Sequence, residues 1–231
     1  MVIYDDERCL SRYRELREAE PRWFDNPAGC PTEILFDDAE IREAQRAVRA
    51  EREAAREPIE DLRVGILAED QYIGYVVRDA VRFSDGRYGL YNRVAAAGGV
   101  VVLPILGDAI ALIRIFRHAP RRWFFEAPQG LLPRGHDAAE TARRELIEEM
   151  GAVPIDLTPL GVVYTSTALT AENLKVFAAR ISATGAPQAS EGIASIRLVR
   201  NDEIDGLIVD GTICDGPTTT AITRARIRGF L

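Results

Sequence analysis

Residues 130–152 read GLLPRGHDAAETARRELIEEMGA, and both ends and both faces of one helix can be read from them. Asp137 and Glu140 make a D-x-x-E variant of the capping box, Gly151 stands where a left-handed C-terminal cap belongs, and Pro154 blocks continuation. The spacing predicts a helix from about Ala138 to Met150. At 100° per residue Ala139, Ala142, Leu146 and Met150 share one side, whereas Glu145, Glu148 and Glu149 fall within roughly a 100° sector beside it. The first side is a core face. The second concentrates negative charge, which is costly unless a cation sits among the carboxylates. Oxygen donors on a rigid helix suit a hard ion, Mg²⁺ or Mn²⁺, that keeps some waters and meets phosphate oxygens. An isolated Glu-Glu pair would instead read as a solvated helix face.

Strand patterns surround this helix. YIGYVVRDAVRF and YGLYNRV flank Ser84-Asp85-Gly86-Arg87, whose Asp-Gly pair fits a hairpin, and GGVVVLPIL and AIALIRIFRH flank a Gly107-Asp108 turn. LGVVYTS, LKVFAARI and IASIRLV follow the helix, and GPTTTAITRARIRGF reads as helical. Strands around a few helices indicate a mixed α/β layer architecture.

Residues 1–68 have a different texture. In DDAEIREAQRAVRAEREAAREP, Asp38 is the expected helix cap and Pro58 the stop, and a narrow stripe of Ile41, Ala44, Val48 and Ala55 marks a helix lying on a larger body. The expected organisation is a helical extension over 1–68 and a second, α/β domain over 69–231.

A net charge of −7 argues against a duplex nucleic-acid binder. Cys9, Cys30 and Cys214 lack C-x-x-C spacing, so neither a zinc site nor a disulfide framework is expected, and a reducing cytoplasm fits best. No run approaches the roughly 18 apolar residues of a membrane span, and the N-terminal MVIYDDERCL does not read as a signal peptide.

The helix and its lead-in resemble the signature of the Nudix hydrolase family, G-x5-E-x7-R-E-U-x-E-E-x-G-U, with U aliphatic. Gly130, Arg144, Glu145, Leu146, Glu148, Glu149, Gly151 and Ala152 stand at the required positions, and His136 replaces the first glutamate. LIRIFRHAPRRWFFEAPQG resembles the strand, arginine and E-x-P-A-G segment of the ADP-ribose pyrophosphatase branch, with Gln129 in place of alanine. YTSTALTAENLKVFAA and DEIDGLIVDGTICDGPTTTAI are similar to its S-P-G-x-T-x-E loop and C-terminal strand-helix region, so the likeness spans about residues 70–231.

The resemblance implies a Nudix α/β/α sandwich with a mixed sheet. It also implies hydrolysis of a nucleoside diphosphate linked to another moiety, with ADP-ribose the leading substrate, and a homodimer. Glu145 and Glu149 map onto principal metal ligands, with Glu148 assisting and the Gln129 carbonyl contributing. Glu172 maps onto a loop glutamate acting as general base, and Arg117 onto an arginine directed at substrate. Gly130, His136, Arg144 and Gly151 take the structural places of the motif. His136 is expected to leave the chemistry intact while altering the loop, with Arg144 compensated by Glu140 or Glu148. His118 reads as a surface or hydrogen-bonded histidine. Trp123, Phe124 and Phe125 read mainly as packing residues, base stacking being the alternative. Thr167-Ala168 stands where ADP-ribose-selective relatives carry Pro-Gly, so other ADP-sugars, UDP-sugars and dinucleotides remain open. The alternative function is a catalytically weak Nudix domain that senses a nucleotide or binds a protein.

Overall fold

The computed structural model describes residues 1–59, 61–188 and 191–231. They separate into two compact units, Met1–Ala96 with Ser166–Ala171, and Ala97–Thr165 with Glu172–Leu231. The boundary between compact units therefore falls after the first hairpin, not at the expected residue 68.

The first unit is more than a helical extension. It holds β1 (Val2–Ile3), α1 (Asp6–Ala19), a 3₁₀ turn (Pro21–Trp23), β2 (Thr32–Ile34), α2 (Asp38–Ala55), β3 (Gly65–Asp70), β4 (Gly74–Phe83) and β5 (Tyr88–Ala95). The strands form one antiparallel sheet built around β4, which pairs with β2, β3 and β5. Gly86, at φ 83°, makes the β4–β5 turn where the Asp-Gly pair placed it.

The expected helix at Asp38 is α2, but Asp37 caps it, accepting from the amides of Ala39 and Glu40. Its last residue is Ala55, before Arg56 turns left-handed, so Pro58 is not the stop. Ile41, Ala44 and Val48 are buried as expected, while Ala55 is exposed. The preceding α1 escaped the sequence reading, although Asp5 caps it and Cys9, Tyr13 and Leu16 recur at i, i+4 and i+7 on its buried face.

The second unit contains β6 (Gly99–Leu106), β7 (Ala109–Arg117), β8 (Arg122–Glu126), β9 (Gln129–Leu131), α3 (Ala138–Met150), β10 (Pro154–Tyr164), β11 (Asn173–Ile181), β12 (Ile193–Arg200), α4 (Ile204–Val209) and α5 (Gly216–Ile227). Its seven-stranded sheet runs β10-β11-β6-β7-β12, with β8 also on β7 and β9 also on β6. The β11–β6 pair is parallel and the other pairs are antiparallel, so the sheet is mixed.

The central strands are apolar on both faces because each face is covered. Val101, Leu103 and Ile105 of β6 point into a core closed by Ala221, Ile222 and Ala225 of α5. Val100 and Val102 point the other way, into a core closed by Ala142, Leu146 and Met150 of α3. This is the expected α/β/α sandwich. One difference lies in the C-terminal region, where Ile204–Val209 is a short helix rather than a strand. No helix among the described residues is long and apolar enough to cross a membrane.

The two faces of α3 make a stability contrast. Leu146 is fully buried and its neighbour Ile147 is 46% exposed. Leu146→Ala is expected to lower unfolding free energy by about 2–5 kcal/mol, and Ile147→Ala by no more than about 0.5 kcal/mol. Urea denaturation of the two variants measures the difference.

Candidate active site

The acidic face of α3 is held in place from both ends and from below. The Asp137 carboxylate accepts from the Glu140 amide at 2.9 Å, closing the N-terminus. At the other end Gly151 adopts φ 59°, and its amide and that of Ala152 return to the carbonyls of Ile147 and Leu146. A side chain at Gly151 would also meet the backbone of Gly185 and Ala186 at 2.9 Å. Below, Ala142, Leu146 and Met150 fix the helix on the sheet, which brings Glu145 and Glu149 against it rather than into solvent. These two carboxylates are 7% and 4% exposed.

Strand β9 explains how they fit. The Gln129 amide donates to Glu149 Oε2 at 3.0 Å. A Cβ on Gly130 would overlap the Glu145 carboxylate, so glycine is required here for the closeness of that side chain and not for a special backbone angle. Arg144 donates to Glu145 Oε1 at 3.0 Å, and its Nε lies 3.5 Å from Glu148. Glu148 therefore supplies part of the expected countercharge, Glu145 supplies the rest, and Glu140 forms no ion pair with Arg144. His136 sits exposed in the turn after Gly135, its amide bonded to the Pro133 carbonyl, and its ring makes no hydrogen bond to Arg144.

Burial raises the proton affinity of both acids. Glu149 is pushed up to about 8, first by desolvation, against which the Gln129 amide works, and further by the charges of Glu145 and Glu191. Glu145 is raised by desolvation, with Arg144 opposing. Two buried carboxylates on successive turns of one helix are a costly arrangement for their own sake. Among the described residues no three His, Cys, Asp or Glu side chains gather into a group that could by itself hold a metal ion. Glu145 and Glu149 are sunken and Glu148 stands at the solvent side, so the oxygens on this face are few and partly open to water.

Arg117, at the end of β7, is fixed by Glu126, a buried carboxylate to which the sequence reading gave no role. Its Nε and Nη2 donate to Glu126 Oε2 at 2.9 and 2.6 Å, and the same oxygen accepts from Gln129 Nε2 at 2.5 Å. Burial acts against the guanidinium charge, and Glu126 outweighs it. The signal for Glu126 was available: an acid within FFEAPQG, directly after three aromatic residues of its strand. Glu191 was also missed, and nothing local in its loop sequence marks an acid whose charge reaches both helix carboxylates.

Glu172 lies at the start of β11 and accepts from Thr165 Oγ1 at 2.7 Å. It is brought to the sheet end where Gly98 lies so close to the Asn173 carbonyl that a Cβ would overlap it, and where Leu131 pairs with Gly99. The segment just before it, Ser166–Ala171, is tied within the first unit: the Val94 amide donates to the Leu169 carbonyl at 2.8 Å, and the Tyr91 hydroxyl to the Ala168 carbonyl at 3.2 Å. His118 is exposed, with Nδ1 2.7 Å from Arg121. Phe125 packs on the α5-side core, while Trp123 meets Phe116 edge-on at 5.5 Å and lies under Arg114.

A mixed sheet between helices, carrying two sunken acids of one helix beside the strand of Gln129 and Gly130, defines the class of the domain as an α/β/α sandwich with an acidic helix at its sheet. The chain belongs to the Nudix family, its residues 95–218 matching the NUDIX domain. It is similar to the ADP-ribose pyrophosphatase of Bacillus subtilis (strain 168), with 33% identity over 100 residues, 43% of this chain and 54% of that protein. The chain thus spans about half the length of that curated relative. A solved structure described as an ADP compounds hydrolase superposes with a TM-score of 0.61 at 20% identity, covering 72% of this chain and 93% of its own. At that identity the likeness concerns the fold.

Two outcomes test the site. Gly130→Ala is expected to displace Glu145 and weaken Mn²⁺ binding in calorimetry while leaving the far-ultraviolet circular dichroism unchanged. The second concerns pH. Because Glu149 holds its proton to about 8 in the fold against an ordinary 4.5, its contribution to stability is full below 4.5 and is lost as pH rises through 8. Metal-stripped protein should therefore melt progressively lower between these limits, and Glu149→Gln should flatten that slope; an unchanged slope would contradict the buried-acid account.

Proposed function

We propose that this chain is a metal-dependent pyrophosphohydrolase. Its substrate would be a nucleoside diphosphate linked to another moiety, ADP-ribose or another nucleotide sugar, and its products a nucleoside monophosphate and X-phosphate. The observation that carries the reading is the sunken Glu145–Glu149 pair beside Gly130, an arrangement unfavourable without a cation and suited to one that meets a diphosphate. The name of the curated relative, ADP-ribose pyrophosphatase, supports the substrate class.

In this reading Glu145 and Glu149 hold Mg²⁺ or Mn²⁺ with the Gln129 carbonyl, and Glu148 assists from the solvent side. When bound, the cation supplies charge neutralisation at the diphosphate and a lowered pKa for the attacking water. Arg117 contributes a guanidinium whose Nε and Nη2 are held by Glu126, leaving Nη1 for a phosphate oxygen. Glu172 is the proposed general base: it takes a proton as water attacks one phosphorus, the bridging P–O bond breaks, and the second phosphate leaves with the bridging oxygen. The Thr165 hydroxyl orients its carboxylate. His136, exposed and unbonded to Arg144, takes no part in the chemistry. A homodimer and a cytoplasmic setting, the latter in keeping with free Cys9, Cys30 and Cys214, complete the proposal.

The test is a panel of nucleotide sugars and dinucleotides incubated with Mg²⁺ or Mn²⁺ and resolved by chromatography. Nucleoside monophosphate is expected from one substrate class, falling below detection in Glu149→Gln and by about 10²–10⁴-fold in kcat for Glu172→Gln. Absence of turnover across the panel would leave a nucleotide-binding module instead.

A further inference from the structure

The first unit contains a cleft of about 670 Å³ lined by Arg42, Gln45, Arg46 and Arg49 of α2, by Asp61, Leu62 and Arg63 of the strand lead-in, and by Asp6 of α1. Its walls are fixed. Ile41, Ala44 and Val48 bury the opposite side of α2, in part against Leu35, Val64 and Ala80. Gln45 Nε2 donates to the Leu62 carbonyl at 2.8 Å, pinning the lead-in to the helix. Arg63 is clamped by Asp61 at 2.7 Å and by the Tyr4 carbonyl.

The charges do not balance. Arg42, Arg46 and Arg49 lie at i, i+4 and i+7, within about 60° of one another around the helix. Like charges at that spacing repel. Among the described residues none of the three makes an ion pair or a hydrogen bond. The two acids of the cleft are placed elsewhere: Asp61 serves Arg63 and also lies 3.4 Å from Arg78, and Asp6 lies 4.0 Å from Arg63. A chain with net charge −7 thus gathers, along one side of a helix whose other side is fixed in the core, a row of exposed guanidiniums without an ion-pair partner among the described residues.

We infer that this cleft is a binding site for a small anion carrying two or more phosphate groups, separate from the carboxylate helix. Guanidiniums match phosphate oxygens in forked pairs, and three in a row span more than one phosphate. The volume lies within the range of small-molecule sites, roughly 300–1,000 Å³. No cation is needed, because the cleft itself is positive. The inference is independent of the proposed hydrolysis.

Metal-stripped protein, with divalent cations removed on a chelating resin, is titrated calorimetrically with inorganic tripolyphosphate and, separately, with ADP. Binding is expected for both, weakening as salt rises. Tighter tripolyphosphate would assign an inorganic ligand, tighter ADP a nucleotide. Arg42→Gln/Arg46→Gln should lose at least about tenfold in affinity. Arg56→Gln/Arg143→Gln, an equal charge loss outside the cleft, and Glu149→Gln should each stay within about twofold of the parent. Thermal melting confirms that every variant is folded. Equal losses in both arginine pairs, retained affinity in the cleft pair, or no uptake by the parent protein would each overturn the inference.

Discussion

The second unit is organised around the burial of two carboxylates. Glu145 and Glu149 are drawn under cover because the residues that flank them on α3, Ala142, Leu146 and Met150, must reach the sheet. A helix packs by a stripe, and acids bordering that stripe are carried partly inward with it. Removing a carboxylate from water is costly unless something replaces the water. Here a backbone amide and one arginine do part of that work, and the remaining deficit shows as the raised proton affinity of both acids. Gly130 belongs to the same constraint: any side chain there would occupy the space of the Glu145 carboxylate.

A second buried acid organises the neighbouring strands. Glu126 collects Arg117 and Gln129 on one oxygen, which ties the end of β7 to β9, and β9 in turn holds Glu149. A change at Glu126 would thus be felt at the helix through two hydrogen bonds. Low dielectric strengthens such a chain and makes the loss of one member costly. In the first unit, Tyr13 and Arg93 converge on the buried Asp79 at 2.5 and 2.6 Å, a core network of the same kind that is not at a site of proposed chemistry.

Much of the second unit was legible because its signals are local. The cap Asp137, the stop Gly151, the face of α3 and both turn glycines act within a few residues of themselves. Alternation failed on β6 and β7, since strands covered on both sides carry apolar residues throughout and hide which face is which. The first unit was read less well. Its α2 was visible by charge density and its α1 was not, although Cys9, Tyr13 and Leu16 keep helical spacing; tyrosine and cysteine make a weak apolar stripe among nine charged or polar neighbours. The hairpin of β4 and β5 was recognised as a hairpin, yet the unit to which it belongs depends on pairings with β2 and β3, more distant in sequence.

Sequence by itself determined the acidic helix, its register and the residue types able to hold a cation, because a helix repeats its geometry every few residues and spacing alone sets which side chains share a face. Only the tertiary structure decided which of the three glutamates are buried. It also decided that Arg144 turns to Glu145 and Glu148 rather than His136, and that the exposed Arg42, Arg46 and Arg49 border one cleft. Those outcomes depend on what packs against each face, and no local pattern specifies the partner.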